Sequence, residues 1–170
     1  MVIWITGLSG SGKTTISKNI YTTLKSKYIH TILLDGDVIR EVLNHSYGYT
    51  LEERLKGAKQ IHGLCKLLEQ EGMIVVCATM SLFHEIQELN RKTFSDYCEI
   101  FLDVKISELY MRDKNSLYSN AKNGLEKNVV GIDLKYESPI SPELSLDNNN
   151  TSDIEKNTTS ILSILETKLC

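Results

Sequence analysis

Proline is nearly missing from this chain: there are two in 170 residues, Pro139 and Pro142, and with the ten glycines they make 12 positions. That scarcity excludes collagen-like and low-complexity classes. The four cysteines, Cys65, Cys77, Cys98 and Cys170, are widely spaced, form no CxxC pair and sit in no His/Cys cluster. Neither a disulfide scaffold nor a zinc site is expected, and they read as reduced structural thiols. No apolar run approaches the roughly 18 residues of a membrane span, and Met1 leads into Val2-Ile3-Trp4-Ile5 without a basic segment or a small-residue cleavage site. A cytoplasmic location without membrane contact is the expectation. An excess of basic charge is lacking too, with 19 Lys and Arg against 22 Asp and Glu, a net charge of -3. No nucleic-acid partner is expected, and any anion must be bound locally.

What is present is an ordinary globular balance, 41% hydrophobic and 24% charged, in a length close to that of one domain, so residues 1-170 are expected to share one core. Val2 to Thr6, Thr31 to Leu34, Met73 to Ala78 and Tyr97 to Asp103 read as strands buried on both faces. Helices are expected between them. Ile16, Ile20, Leu24 and Tyr28 recur every four residues, and Leu55, Ala58, Ile61, Leu64, Cys65 and Leu68 mark the inner face of a long helix from Leu51 to Gly72. Shorter helices are expected at Asp37 to Asn44, Phe83 to Ser95 and Ser107 to Arg112. Residues 113-146 read as a mobile lid and loop, and a last helix over about 153-169 turns Ile154, Ile161, Leu162 and Leu165 inward. Strands alternating with helices imply an α/β, three-layer fold with a mostly parallel sheet and right-handed crossovers.

Gly7-Leu8-Ser9-Gly10-Ser11-Gly12-Lys13-Thr14 matches G-x-x-x-x-G-K-[ST] after a strand and before a helix. The glycines let backbone amides curl around phosphate, Lys13 reaches the β and γ phosphates, and the Thr14 hydroxyl is placed to hold Mg²⁺. Thr15 continues the loop into the helix. ATP with Mg²⁺ is therefore the expected donor. No NKxD-type guanine motif is present, and the strand at 73-78 ends without an acidic residue. The carboxylates occur instead at Asp35 and Asp37, where they either hold metal-bound water and orient an attacking hydroxyl or simply form a turn and cap. Arg40 and Arg54, close by in sequence, clamp a charged acceptor or lie solvated on the surface.

Trp4 to Thr14, Leu34-Asp35-Gly36-Asp37 with Arg40, and Gly131-Ile132-Asp133 with Tyr136-Glu137 together resemble the adenylylsulfate (APS) kinase family over roughly residues 2 to 147. Phe101-Leu102-Asp103, Arg112-Asp113, Leu117-Tyr118 and Pro142-Glu143-Leu144 fall in the same order. The resemblance implies a P-loop kinase fold and transfer of the γ-phosphoryl of MgATP to the 3′-hydroxyl of a nucleotide acceptor. It makes Asp37 the catalytic base, Asp35 its neighbour near the metal, and Arg112 a contact to the ATP adenine. Arg40, Tyr49, Arg54, Ser81, Val129, Gly131 and Ile132 fall on the acceptor side, and a homodimer is implied as well. Ser81 matches a serine sometimes described as phosphorylated, although direct in-line transfer needs no such step.

Departures from the family pattern gather on the acceptor side. Val38 stands where asparagine is usual, Gly57 where asparagine is expected three residues after Arg54, and Met80-Ser81-Leu82-Phe83-His84 lacks the family's proline and arginine. Asn115 to Asn120 lacks its lysines, and Val129 replaces the phenylalanine that stacks on the acceptor's adenine. Losing an aromatic face weakens stacking by about 1 to 3 kcal/mol, and losing cations weakens grip on a sulfate-bearing tail. The expected acceptor is thus a nucleotide with a smaller base and a less anionic tail, with His84, Asn115 and Asn120 as candidate contacts to that tail. The alternatives are adenylylsulfate itself and, in another class, a non-catalytic nucleotide-binding regulator, against which the retained Asp35, Asp37, Arg40 and Arg54 argue.

Overall fold

A computed structural model describes residues 1-169, apart from the side chain of Lys114; the fourth expected thiol, Cys170, lies outside the described residues. Five parallel strands are ordered β2-β3-β1-β4-β5, where β1 is Val2–Thr6, β2 Thr31–Asp35, β3 Ile74–Ala78, β4 Tyr97–Asp103 and β5 Leu144–Asp147. The central strand β1 is a continuous apolar run because both of its faces are covered. Val2 and Trp4 point to one face and Ile3 and Ile5 to the other, as the two-residue period of a strand requires.

The first face is covered by α3 (Leu51–Gln70) and α4 (His84–Thr93), through Ala58, Ile61, Cys65 and Ile86. The second is covered by α1 (Lys13–Lys27) and α7 (Ile154–Leu169), through Ile16, Ile20, Leu24, Ile161 and Leu165. These are the inward residues that the helical periodicity selects. Cys65, Cys77 and Cys98 are buried and unbridged; burial pushes the Cys98 thiol up to about 12, so it stays protonated. No helix among the described residues is long and apolar enough to cross a membrane.

Two expectations are corrected. A fifth strand, β5, joins the four expected ones and alternates between half-buried and exposed, and β2, packed through Ile32 and Leu34 on one face and Leu33 on the other, is mostly half-buried, because an edge strand has a neighbour on one side only. The segment 113-146 is not simply loop. After α5 (Ile106–Arg112) come a short 3₁₀ turn and α6 (Leu117–Lys122), and the segment runs into β5 at its end. Its Tyr118, Val129 and Val130 are buried with Leu8, Leu82, Phe101, Val104 and Leu109 in a third apolar cluster at the carboxyl end of the sheet. A polar sequence hides this core because its few apolar residues are spread without a period.

The chain leaves β1 for β2 on one side, fills in β3, then crosses to β4 and β5 on the other. Strand order therefore reverses at β1, and the crevice beyond its carboxyl end is where open α/β sheets bind ligands. The phosphate-binding sequence begins there.

Candidate active site

Between β1 and α1 the loop holds its shape through side chains reaching four consecutive carbonyls. Leu8 O accepts from Lys13 Nζ at 2.7 Å, Ser9 O from Tyr118 Oη at 2.7 Å, Gly10 O from Arg112 Nη1 at 3.1 Å, and Ser11 O from Asn148 Nδ2 at 2.7 Å. These tethers fix the course of the loop, whose amides a phosphate cradle uses where they are not already bonded, as the Ser11 amide is to Leu8 O at 3.1 Å. Gly12 sits at φ +98°, and a Cβ there would lie 2.6 Å from Asn148 Nδ2, so the tether itself demands glycine. Asn148 is aimed in turn by Asn157, whose Nδ2 donates to its Oδ1 at 2.9 Å.

Tyr118, Asn148 and Asn157 received no role from sequence reasoning. The available signals were an aromatic stranded in a polar stretch and an asparagine run after a strand. Arg112 also donates to the carbonyls of Asn148 and Asn149, so its guanidinium fastens the loop to the β5–α7 turn while lining the cleft.

The cleft beyond the loop encloses about 640 Å³, within the usual range for small-molecule sites of roughly 300 to 1,000 Å³. Ser9, Gly10, Gly12, Lys13, Thr14 and Thr15 line it, whereas Gly7 and the fully buried Ser11 stand behind the wall. At the end of β2, Asp35 caps α2 (Gly36–Val42): its Oδ1 accepts the Asp37 amide at 2.9 Å and its Oδ2 accepts the Thr14 hydroxyl at 3.0 Å. This joins the two readings of the pair, since Asp35 caps and meets Thr14 at once. The Asp37 carboxylate lines the cleft, exposed and without a hydrogen-bond or ion-pair partner among the described residues.

The Thr14 hydroxyl and the Asp35 carboxylate are hard oxygen donors at one spot, a set that fits Mg²⁺, which binds through one or two carboxylates and otherwise through water and nucleotide phosphate. Among the described residues there is no group of three or more His, Cys, Asp or Glu able to hold a metal by itself, in keeping with an ion that arrives on a nucleotide.

The opposite end of the cleft is cationic and aromatic. Arg40 Nη1 donates to the carbonyls of Tyr47 (2.7 Å) and Gly48 (2.9 Å), and its guanidinium lies 4.3 Å from the Tyr47 ring centroid and 4.4 Å from that of Tyr49. Arg54 Nε donates to Tyr49 O at 2.8 Å and its Nη2 to Asn128 O at 2.9 Å, and the group lies 5.1 Å from the Tyr49 ring. Burial and then the like charge of Arg40 press the Arg54 pKa down. Neither arginine has an ion-pair partner among the described residues, so this end holds two cations, with the Asp37 and Asp133 carboxylates acting on Arg54 from beyond pairing distance. Tyr49, 51% exposed, is open to a base, whereas Val129 on the wall is only 3% exposed.

Several expected residues stand elsewhere. Ser81 is fully buried with its hydroxyl unpaired, and it does not reach the cleft wall. Gly131 turns beneath Leu8 and Ile106, and Ile132 packs with the third apolar cluster. Of the proposed tail contacts, Asn115 and Asn120 line the cleft, but His84 is turned to Ser138 O, at 2.9 Å from its Nε2.

The phosphate-loop sequence at a parallel-sheet switch point, with the Thr14–Asp35 oxygens beside it and a cationic, aromatic end across the cleft, fits a P-loop phosphotransferase. The chain belongs to the adenylylsulphate kinase family, which matches residues 1–147. It is 41% identical over 155 residues to the cytidine diphosphoramidate kinase of Campylobacter jejuni, covering 91% of this chain and 90% of that protein. It is 38% identical over 168 residues to the adenylyl-sulfate kinase of Pseudomonas aeruginosa, covering 98% and 85%. The APS kinase of Mycobacterium tuberculosis, solved with AMPPNP and APS, superposes with a TM-score of 0.89 at 30% identity, covering 97% of this chain and 96% of that one. The protein is a kinase that transfers phosphate to a hydroxyl acceptor.

Proposed function

We propose that this kinase uses MgATP to phosphorylate the ribose 3′-hydroxyl of cytidine diphosphoramidate. The observation that carries the reading is the acceptor end: Arg40 and Arg54 keep the charge that grips a diphosphate, while the buried Val129 offers no aromatic face for a second purine contact. Overall identity does not separate the candidates, since the cytidine enzyme and an adenylylsulfate enzyme stand at 41% and 38%. The separation comes from the residues of the cleft.

In this reading the loop amides and Lys13 hold the β and γ phosphates. When bound, Mg²⁺ at Thr14 and Asp35 neutralises phosphate charge, and the rest is positioning. Asp37 accepts the proton of the attacking hydroxyl; its carboxylate has no hydrogen-bond or ion-pair partner among the described residues, and its amide is fixed on Asp35. Arg40 and Arg54 orient the acceptor so that its hydroxyl points at Asp37. The protein is expected to act as a homodimer.

The test is ADP release from MgATP with purified protein, offering cytidine diphosphoramidate, CDP and adenylylsulfate as separate acceptors. The proposal expects turnover with the first and little with the third. Preference for adenylylsulfate would return the chain to sulfate activation, and nucleotide binding without transfer to any acceptor would make it a regulator.

A further inference from the structure

Tyr47 is 5% exposed, yet its ring forms part of the cleft wall. It lies against α3 at Gly57: a Cβ on that glycine would stand 2.3 to 2.7 Å from three atoms of the ring, so the ring would have to move to admit one. Gly57 is a helical residue with no positive φ, inside a long helix where glycine is disfavoured relative to alanine. The backbone does not need glycine there; the ring does. Arg40 touches the same ring, its guanidinium 4.3 Å from the centroid, and donates to the Tyr47 carbonyl. Burial raises the Tyr47 phenol pKa, so the ring is a neutral wedge between α3 and the guanidinium.

We infer that the Tyr47–Gly57 pair is the specificity-determining element of the acceptor site: the ring, admitted by the bare helix backbone, fills depth that a purine would occupy and leaves room for a pyrimidine. The ring stands beside Arg40, which in turn lies 4.4 Å from the Tyr49 ring, so it borders both the cation proposed for the acceptor's phosphates and the face proposed for its base. It also props Arg40 toward Tyr49, whose exposed ring 4.4 Å from that guanidinium remains the one aromatic face at this end open to a base. The pair acts through shape and through Arg40, not on the reacting atoms. This inference rests on the proposed nucleotide 3′-kinase reading and deepens it.

The experiment measures kcat/KM for cytidine diphosphoramidate and for adenylylsulfate, with KM for ATP as an internal control, in wild type, Tyr47→Ala, Tyr47→Phe and Gly57→Ala. Tyr47→Ala is expected to lower the cytidine-to-adenine preference at least tenfold, mainly through acceptor KM, with ATP KM changed less than about twofold. Gly57→Ala displaces the ring and shifts the preference the same way, while Tyr47→Phe keeps the ring and the preference. Circular dichroism and thermal melts accompany each variant, and Tyr47→Leu substitutes if the alanine form does not fold. An unchanged preference in folded Tyr47→Ala or Tyr47→Leu and in Gly57→Ala overturns the inference. The wild-type ratio alone judges the acceptor reading, so the two failures are told apart: a wild type that prefers adenylylsulfate sinks the reading, whereas variants that leave the ratio in place sink the pair.

Discussion

Lys13→Ala removes the charge proposed for the β and γ phosphates and one of two hydrogen bonds to the Leu8 carbonyl, leaving that from the Ser11 amide. A loss of about 10² or more in kcat/KM is expected, the usual effect of deleting one preorganised charge contact; wild-type turnover in steady-state kinetics would contradict the assignment of the loop. Asp37→Asn is expected to lower kcat by about 10² to 10⁴ with ATP KM little changed, because a general base acts in the transition state. A rise confined to acceptor KM would make Asp37 a binding residue. Asn148→Ala strips the Ser11 carbonyl and Asn157 of a buried partner, and denaturant melts are expected to show a loss of about 1 to 3 kcal/mol together with weaker ATP binding. The sequence displays Lys13 and the glycines openly because phosphate binding demands them at fixed local spacing. Asn148 and Tyr118 are hidden because each acts through one bond to a loop 137 and 109 residues away in the chain. Ser81 misleads in the opposite direction, since its place in a motif says nothing of its burial.

At the level of elements, α3 begins where its signal lies: the Thr50 side chain accepts from the Glu53 amide and the Glu53 carboxylate accepts from the Thr50 amide, a full capping box. Thr50→Ala is expected to cost about 1 kcal/mol in denaturant unfolding at pH 7. Hydrogen bonds from the Thr50 hydroxyl and amide hold the Glu53 carboxyl below its ordinary value. That contribution is complete above the ordinary carboxylate value and fades as pH falls through the lower folded one, so the cost of the substitution should shrink in acid; a cost that grows in acid would refute the coupling. Gly72, with φ +75°, follows the helix end as its sequence position suggests. Long periodic helices and runs such as Val2 to Thr6 are legible because burial on a whole face writes a repeating pattern. The edge strand β5 is not, since four residues with one half-buried face resemble loop, and the core residues of 113-146 carry no period at all.

For the whole molecule, the consequential fact is that strand order reverses at β1, which puts the phosphate loop, Asp35 and the Arg40–Arg54 end around one crevice. Alternation of strands and helices makes this topology readable; the depth of the acceptor end is not, because Tyr47 and Gly57 are ten positions apart in sequence and touch only through the fold. The frame itself carries a buried charge. Glu99, whose side chain is fully buried, pairs with Arg91 and accepts from Tyr97, so α4 is locked to β4. Burial raises the Glu99 pKa against the opposing pull of Arg91. Arg91→Met leaves that carboxylate with the Tyr97 hydroxyl but without its cation and is expected to cost about 2 to 3 kcal/mol at pH 7, somewhat below the figure for fully buried pairs because Arg91 is partly exposed. A raised folded pKa favours the native state below the unfolded value and loses that benefit as pH rises through the folded one. The deficit of Arg91→Met should therefore narrow as Glu99 protonates toward acid pH, and a deficit independent of pH would contradict the pairing.

The most direct measurement of the central claim is ³¹P NMR of the product formed from MgATP and cytidine diphosphoramidate. Consumption of ATP with a new phosphomonoester resonance coupled to the ribose H3′, and the diphosphoramidate signals retained, is the predicted result. ADP formed with no new ester, or phosphate appearing on the terminal group instead of the ribose, would contradict it.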